Sequence, residues 1–248
     1  MSIIKLIHSY PEPLMTATAC DISSDVTAVI LAGGNSTRMK SNKALLTLDG
    51  ERFIERIFRQ LSAIFRKIIL VTNNPELYRF IPCQKVSDIY PGMGALAGIH
   101  AGLRSSKTSH IFAVACDMPH LNQAVIRHLL NRVNWQDVII PESDGGLEPL
   151  HAVYGRGAIP VIEEALSRGN RKIVDCCQRL KTTVIAREEI GSLDPEFLSF
   201  RNINTPEEYF RFREGIQSIM KSEEIAAGRV TSGNCFPTLN LSRLVKER

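Results

Sequence analysis

VILAGGNSTRMKSNKALL, residues 29–46, decides the fold. It opens inside a short apolar run, Thr27 to Ala32, that reads as a buried strand. Two glycines, Gly33 and Gly34, follow at once, then the hydroxyls Ser36 and Thr37 and the cations Arg38, Lys40 and Lys43. Glycine lets the backbone turn tightly and bring its amides against a ligand. A loop leading from strand to helix aims such amides at anions. Arg38 offers a planar fork of donors and Lys43 a point charge. The pattern suits a loop that grips a polyphosphate, although a glycine turn before a solvated basic stretch would share its composition. The two commonest phosphate loops, GxGxxG and GxxxxGK[ST], are both missing from it.

Outward from this loop, strands alternate with helices. Phe53, Ile54, Ile57, Phe58, Leu61, Ile64 and Phe65 recur at helical spacing. Lys67 to Thr72 and Ile111 to Cys116 are further buried strands, separated by a small-residue helix over 95–103. Val125, Ile126, Leu129 and Leu130 mark another helix, followed by a strand from Asp137 to Ile140. EPLHAVYGR alternates like a strand, AIPVIEEALSRG and RKIVDCCQRL read as helices, and TTVIA as a strand. Thr205, Pro206 and Glu208 cap a last helix with Tyr209, Phe212, Ile216 and Ile219 on its buried stripe. This alternation predicts an α/β fold, a mostly parallel sheet with helices on both faces. Ligands of such sheets bind beyond the carboxyl ends of the strands. The expected organisation is an extension over 1–25, one domain over 26–220 and a polar tail over 221–248.

The loops after the strands therefore matter most. VTNNPELY carries Asn73 and Asn74, which suit a helix cap equally well. Asp88 reads by itself as a turn residue ahead of Pro91. In VACDMPHL, Asp117 ends a buried strand and Pro119 stops it. A carboxylate so placed suits Mg²⁺, which favours carboxylate and phosphate oxygens, or simply caps the next helix. Asn202 and Asn204 sit in FRNINTPEEY, where strand-end hydrogen bonding is the plain reading. Arg168, Arg171 and Lys172 suit either an acidic ligand or a solvated helix end.

Composition narrows the class. With 248 residues the chain can bury a substantial core, and 44% hydrophobic with 23% charged residues is ordinary for a globular protein. The net charge of +4, without a block of like charges, suits a handler of small anions rather than of nucleic acid. Six cysteines without a CxxC pair argue against a zinc site and a disulfide framework, and for a reducing, cytoplasmic setting. His8, Pro11, Glu12 and Pro13 interrupt any export signal, and no apolar run is long enough to span a membrane.

These motifs together resemble one family. LAGGNSTRMKSNKALL is similar to the LAGGxSxRMGxxKxLL signature of the MobA-like nucleotidyltransferases, the molybdenum cofactor guanylyltransferases and their relatives. Lys40 stands where that family usually has glycine. SDIYPGMGALAGIHAGL is similar to its D-x-x-PG-PLAGI-x-AGL segment, with GMGALAG in place of PGPLAG. VACDMP resembles its C-D-x-P, and FRNINTPEEY its closing F-x-N-x-NTPEEL. The resemblance spans roughly residues 26–216 and implies a three-layer, Rossmann-like fold of the nucleotide-diphospho-sugar transferase type.

The resemblance also implies roles. Leu31, Ala32, Gly33, Gly34, Lys43, Asn74, Asp88 and Asp117 would contact the nucleotide, with Gly92 and Gly94 lining the pocket. Arg38, Lys43 and Asp117 would be catalytic. The cofactor would be Mg²⁺ on Asp117 and Asn204, with Asn202 as the fallback. The implied reaction moves GMP from GTP to the phosphate of molybdenum-loaded molybdopterin and releases pyrophosphate. A phosphate nucleophile is already anionic at neutral pH, which accounts for the lack of any His or Cys nucleophile constellation. Cytidylyl relatives usually read LAAG, so CTP is the alternative donor. A non-catalytic module assisting cofactor delivery is another reading. A sugar-phosphate nucleotidyltransferase is disfavoured by the short chain and the lack of a long insertion after Asp117. The expected state is a monomer, with cofactor-insertion proteins or molybdoenzymes as partners.

Overall fold

A computed structural model describes residues 25–33, 43–48, 50–203, 208 and 210. The chain divides into two units, Met1–Asn204 and Thr205–Arg248, and every element named below belongs to the first. The expected extension, tail and capped helix at 205–220 lie outside the described residues, save Glu208 and Phe210.

In chain order the elements are β1 (Val26–Leu31), β2 (Thr47–Leu48), β3 (Glu51–Arg52), α1 (Phe53–Ser62), β4 (Ile68–Val71), β5 (Gln84–Val86), α2 (Ala95–Ser105), β6 (His110–Ala115) and α3 (Gln123–Leu130). They continue with β7 (Val138–Ser143), β8 (Gly146–Leu147), β9 (His151–Gly155), α4 (Ile159–Ser167), α5 (Ile173–Cys177), β10 (Thr182–Ile185) and α6 (Arg187–Leu193). The main sheet runs β10-β7-β9-β6-β1-β4-β5, with β8 beside β7. β4, β1 and β6 pair in parallel, as do β4 with β5 and β7 with β10. β9 is antiparallel to both β6 and β7. The reason is its connection. A parallel return needs a crossover of roughly a dozen residues or more, and β9 follows β7 through a short hairpin that contains β8.

All six residues of β1 are buried. Val26, Ala28 and Ile30 face the core under α1, α3 and α6, whereas Val29 and Leu31 face the core under α2 and α4. Burial on both faces explains why β1 reads as a continuous apolar run. Each fully buried aliphatic side chain contributes roughly 1.5–3 kcal/mol. Helix α2 lies close on β1 because two of its residues lack side chains. A Cβ at Gly98 would fall 2.9 Å from Leu31 Cδ2, and one at Gly102 2.8 Å from Val29 Cγ1.

One expected helix is shorter than its periodicity suggests. α1 stops at Ser62, and the amides of Ile64 and Phe65 both donate to the Leu61 carbonyl, at 2.9 and 2.8 Å. Both side chains still reach the core from this turn. No helix among the described residues is long and apolar enough to cross a membrane.

Candidate active site

The chain leaves β1 for β4 and β5 on one side and comes back to β6 on the other. The strand order reverses at β1, and such a reversal opens a crevice beyond the carboxyl ends of the strands. A cleft of about 490 Å³ lies there. Leu31, Ala32, Gly33, Asn74, Asp88 and Asp117 all line it, together with Gly92 and Gly94. Gly34, Arg38 and Asn204 lie outside the described residues. Lys43 opens a single 3-10 turn, Lys43–Leu45, whose Ala44 is buried in the core. Arg168, Arg171 and Lys172 are not in the wall of this cleft, and Arg168 pairs with Glu164 at 2.7 Å.

Asp117 follows β6 directly, and its surroundings hold that turn in place. The Cys116 amide donates to the Leu31 carbonyl at 3.2 Å, which ties the ends of β6 and β1. Gln60 of α1 clamps the next residues, donating to the Pro119 carbonyl at 3.0 Å and accepting from the Leu121 amide at 3.0 Å. The Ile203 amide donates to the Asp117 carbonyl at 2.9 Å, so the segment leading to Asn204 is bound to the residue expected to carry the metal. Asn202 is exposed. The cap of α3 is Asn122, which accepts from the Ala124 amide at 2.8 Å.

The opposite wall carries Asp88. Asn73 donates through Nδ2 to Asp88 Oδ2 at 3.2 Å and accepts the Asp88 amide on Oδ1 at 3.0 Å. The other carboxylate oxygen, Oδ1, is buried without a hydrogen-bond partner among the described residues. Burial pushes the Asp88 carboxyl above the usual carboxylate range, and the Asn73 amide partly opposes this. Between these walls stands the amide end of α2. It starts after Gly92 and Gly94, at φ of 78° and 74°, and has neither a capping side chain nor an acidic residue in its first turn. Uncapped helix amides favour an anion.

Asn74 turns out not to cap through its side chain. It precedes a 3-10 turn, Pro75–Tyr78, and its backbone amide instead donates to Thr72 Oγ1 at 3.1 Å. Sequence reasoning passed over Asn73, Cys116 and Leu150 as cleft residues. The adjacent asparagines were the available signal for the first of these. Leu150 arrives because β9 runs antiparallel, which spacing alone did not reveal.

Residues 28–183 match the family described as the MobA-like NTP transferase domain. The chain belongs to this family. Among its MobA-like relatives, the molybdenum cofactor guanylyltransferase of Desulfosudis oleivorans is 37% identical over 195 residues, covering 78% of this chain and 96% of the relative. A probable molybdenum cofactor guanylyltransferase of Clostridium perfringens is 36% identical over 203 residues, covering 80% and 98%. In three dimensions the chain is similar to the crystal structure of molybdopterin-guanine dinucleotide biosynthesis protein A from Archaeoglobus fulgidus. The TM-score is 0.69 and the identity 30%, with 77% of this chain and 99% of that one covered. As a MobA-like protein the chain is a nucleotidyltransferase with the α/β fold of its relatives.

Proposed function

We propose that this chain is a molybdenum cofactor guanylyltransferase, transferring GMP from GTP to the phosphate of molybdenum-loaded molybdopterin. The observation that carries this reading is the convergence of Asp117, Asp88 and the amide end of α2 on one cleft. Its volume of about 490 Å³ is within the usual range for small-molecule sites, roughly 300–1,000 Å³. GTP and molybdopterin are the small-molecule substrates of this reading.

In the reaction an oxygen of the acceptor phosphate forms a bond to the α-phosphorus of GTP. The bond from the α-phosphorus to the bridging oxygen breaks, and pyrophosphate leaves with its electron pair. No base is required, so the residues act by positioning and by neutralising charge. Gly33 and Gly34 lend backbone amides to the phosphates. Arg38 and Lys43 balance the charge that develops on pyrophosphate. Asp88 holds the base.

The donor set suits Mg²⁺. No group of three His, Cys, Asp or Glu side chains among the described residues could hold a metal by itself. Mg²⁺ usually takes one or two carboxylates and fills its shell with water and substrate phosphates. Asp117 and Asn204 would hold it, and it would supply Lewis-acid polarisation of the α-phosphate.

Thermal unfolding with Mg²⁺ and each nucleoside triphosphate in turn tests donor choice. Ligand at 100 times its Kd stabilises by roughly 2.7 kcal/mol, which for this size shifts Tm by roughly 5–10 °C. GTP alone should give that shift. A shift with CTP alone would move the protein to cytidylyl transfer, and none with any nucleotide would remove the reading.

A further inference from the structure

We propose that Asp194 is a positioning residue for guanylyl transfer, seating the turn that carries Asp117 through the segment 194–203. This rests on reading Asp117 as the Mg²⁺ ligand. Asp194 follows α6, is buried, and is not in the wall of the cleft, so it acts through other residues. Each of its carboxylate oxygens accepts an amide, Oδ1 from Leu198 at 3.2 Å and Oδ2 from Ser199 at 2.9 Å. These bonds shape the 3-10 turn Leu198–Phe200 and fix the buried Ser199. Ser199 Oγ accepts the Asn122 amide at 3.0 Å, and Asn122 Nδ2 donates to the Leu193 carbonyl at 2.8 Å, next to Asp194. The segment so seated runs on to Ile203, whose amide donates to the Asp117 carbonyl at 2.9 Å. The turn 117–122 is thus held at both of its ends by the segment that Asp194 shapes.

A plain connection between α6 and residue 203 needs none of this. Taking a carboxylate out of water is costly, and Asp194 is only 5% exposed. Phe197 lies in the left-handed region, at φ 49° and ψ 35°, and is the one non-glycine residue with positive φ among the described residues. For an aromatic side chain that conformation is strained. Contacts hold it there. Its ring centroid is 6.3 Å from that of Phe200, the Arg187 guanidinium lies 5.3 Å over it, and a Cβ at Gly191 of α6 would come within 3.4 Å of Cζ. Phe200 in turn meets His151 edge-on, with centroids 5.0 Å apart. Strain of this kind persists where the surroundings over-determine it, and it gathers at functional sites. Here the buried carboxylate and the strained residue fall in one short segment, and both ends of that segment's hydrogen bonding land on the turn of Asp117. A metal ligand needs such support, because its affinity depends on how firmly outer partners orient it.

The test is Mn²⁺ binding to the full chain in the presence of GTP and without acceptor, read by electron paramagnetic resonance and set beside thermal unfolding. Asp194→Asn places an amide N–H against the amides of Leu198 and Ser199, and the Mn²⁺ Kd should rise about 10-fold, the low end of what loss of outer support costs. Ser199→Ala cuts only the link to Asn122, and its rise should be smaller, roughly 3-fold to 10-fold. Thr27→Val breaks buried hydrogen bonds at the far end of the sheet, so it should lower Tm and leave the Mn²⁺ Kd unchanged. Added to Asp117→Ala, Ser199→Ala should cause no further loss of Mn²⁺, because the relay would have nothing left to aim. An unchanged Mn²⁺ Kd in Ser199→Ala overturns the assignment whatever Asp194→Asn does, as does an equal loss in Thr27→Val. Wild-type protein that binds no Mn²⁺ with GTP, or Asp117→Ala that binds it as wild type does, instead removes the reading beneath, so the two failures are distinguishable.

Discussion

The two ends of the parallel strands make opposite use of their polar groups. At the amino ends lies a cleft of about 790 Å³, with Arg66, Lys67 and Lys107 in its wall. Beneath it Thr27, Ser106 and Thr108 satisfy one another. Thr27 and Thr108 hydroxyls lie 2.8 Å apart, Ser106 donates to Thr27 at 3.0 Å, and Thr108 donates to the His110 carbonyl at 2.7 Å. Every hydroxyl hydrogen there is spent inside the protein. At the carboxyl ends the other cleft keeps a carboxylate oxygen on Asp88 without a partner among the described residues, and a helix end without a capping side chain. Hydrogen-bonding capacity left over among the described residues therefore lies at the carboxyl ends, where Asp88 and Asp117 line the cleft.

The sharpest break in that contrast comes from Asp117. Asp117→Ala should lower kcat on the order of 10³, since metal polarisation supplies several kcal/mol and each 1.36 kcal/mol is tenfold. Pyrophosphate release reads this directly, and Tm should move little.

His151 opens β9 opposite Val114, toward the carboxyl ends of the parallel strands, edge-on to Phe112 and Phe200, with both ring nitrogens unpartnered among the described residues. Burial holds its pKa at about 4 against an ordinary 6.5, with Asp194 opposing. The unfolded chain therefore takes up a proton near pH 6.5 that the folded chain refuses until about pH 4. Stability is full above 6.5 and falls with acidification by at most about 3 kcal/mol. Urea unfolding at several pH values should record that slope, and His151→Leu should flatten it.

Two glycines of α2 separate packing from function. Gly102→Ala presses on both γ-carbons of Val29, at 2.8 and 2.9 Å, in a stiff β-branched side chain. It should destabilise by about 1–3 kcal/mol, read as a drop in Tm, without changing KM for GTP. Gly98→Ala presses on the end of Leu31 at 2.9 Å, and meets Asp88 Oδ1 and Val71 Cγ1 at an ordinary 3.8 Å. Its Tm loss should be smaller, while displacement of Leu31 at the cleft wall raises KM.

The smallest effect is expected at the amino ends. Thr27→Val removes one member of the hydroxyl ring and should cost about 1–2 kcal/mol in urea unfolding, with kcat/KM unchanged. Lost activity there would show that the two ends are coupled.

Much of this was legible in sequence. β1, β4 and β6 announced themselves because burial on both faces makes strands continuously apolar, and Asp117 stood out between such a strand and Pro119. β9 did not announce its direction, because the alternation of EPLHAVYGR marks a strand without saying whether it runs parallel or antiparallel, and in the structure all five residues of β9 are buried. Ile64 and Phe65 kept the helical period although α1 had ended, since a turn onto the Leu61 carbonyl delivers them to the same core. The Asn73–Asp88 clamp depends on the pairing of β4 with β5, which no local pattern encodes.

The most direct test of guanylyl transfer in this cleft is formation of the guanine dinucleotide cofactor and pyrophosphate from molybdenum-loaded molybdopterin with GTP or CTP and Mg²⁺. The measurement compares wild type with Asp117→Ala. The account predicts product with GTP, little with CTP, and almost none from the variant. Equal turnover of CTP, or a variant as active as wild type, would contradict it.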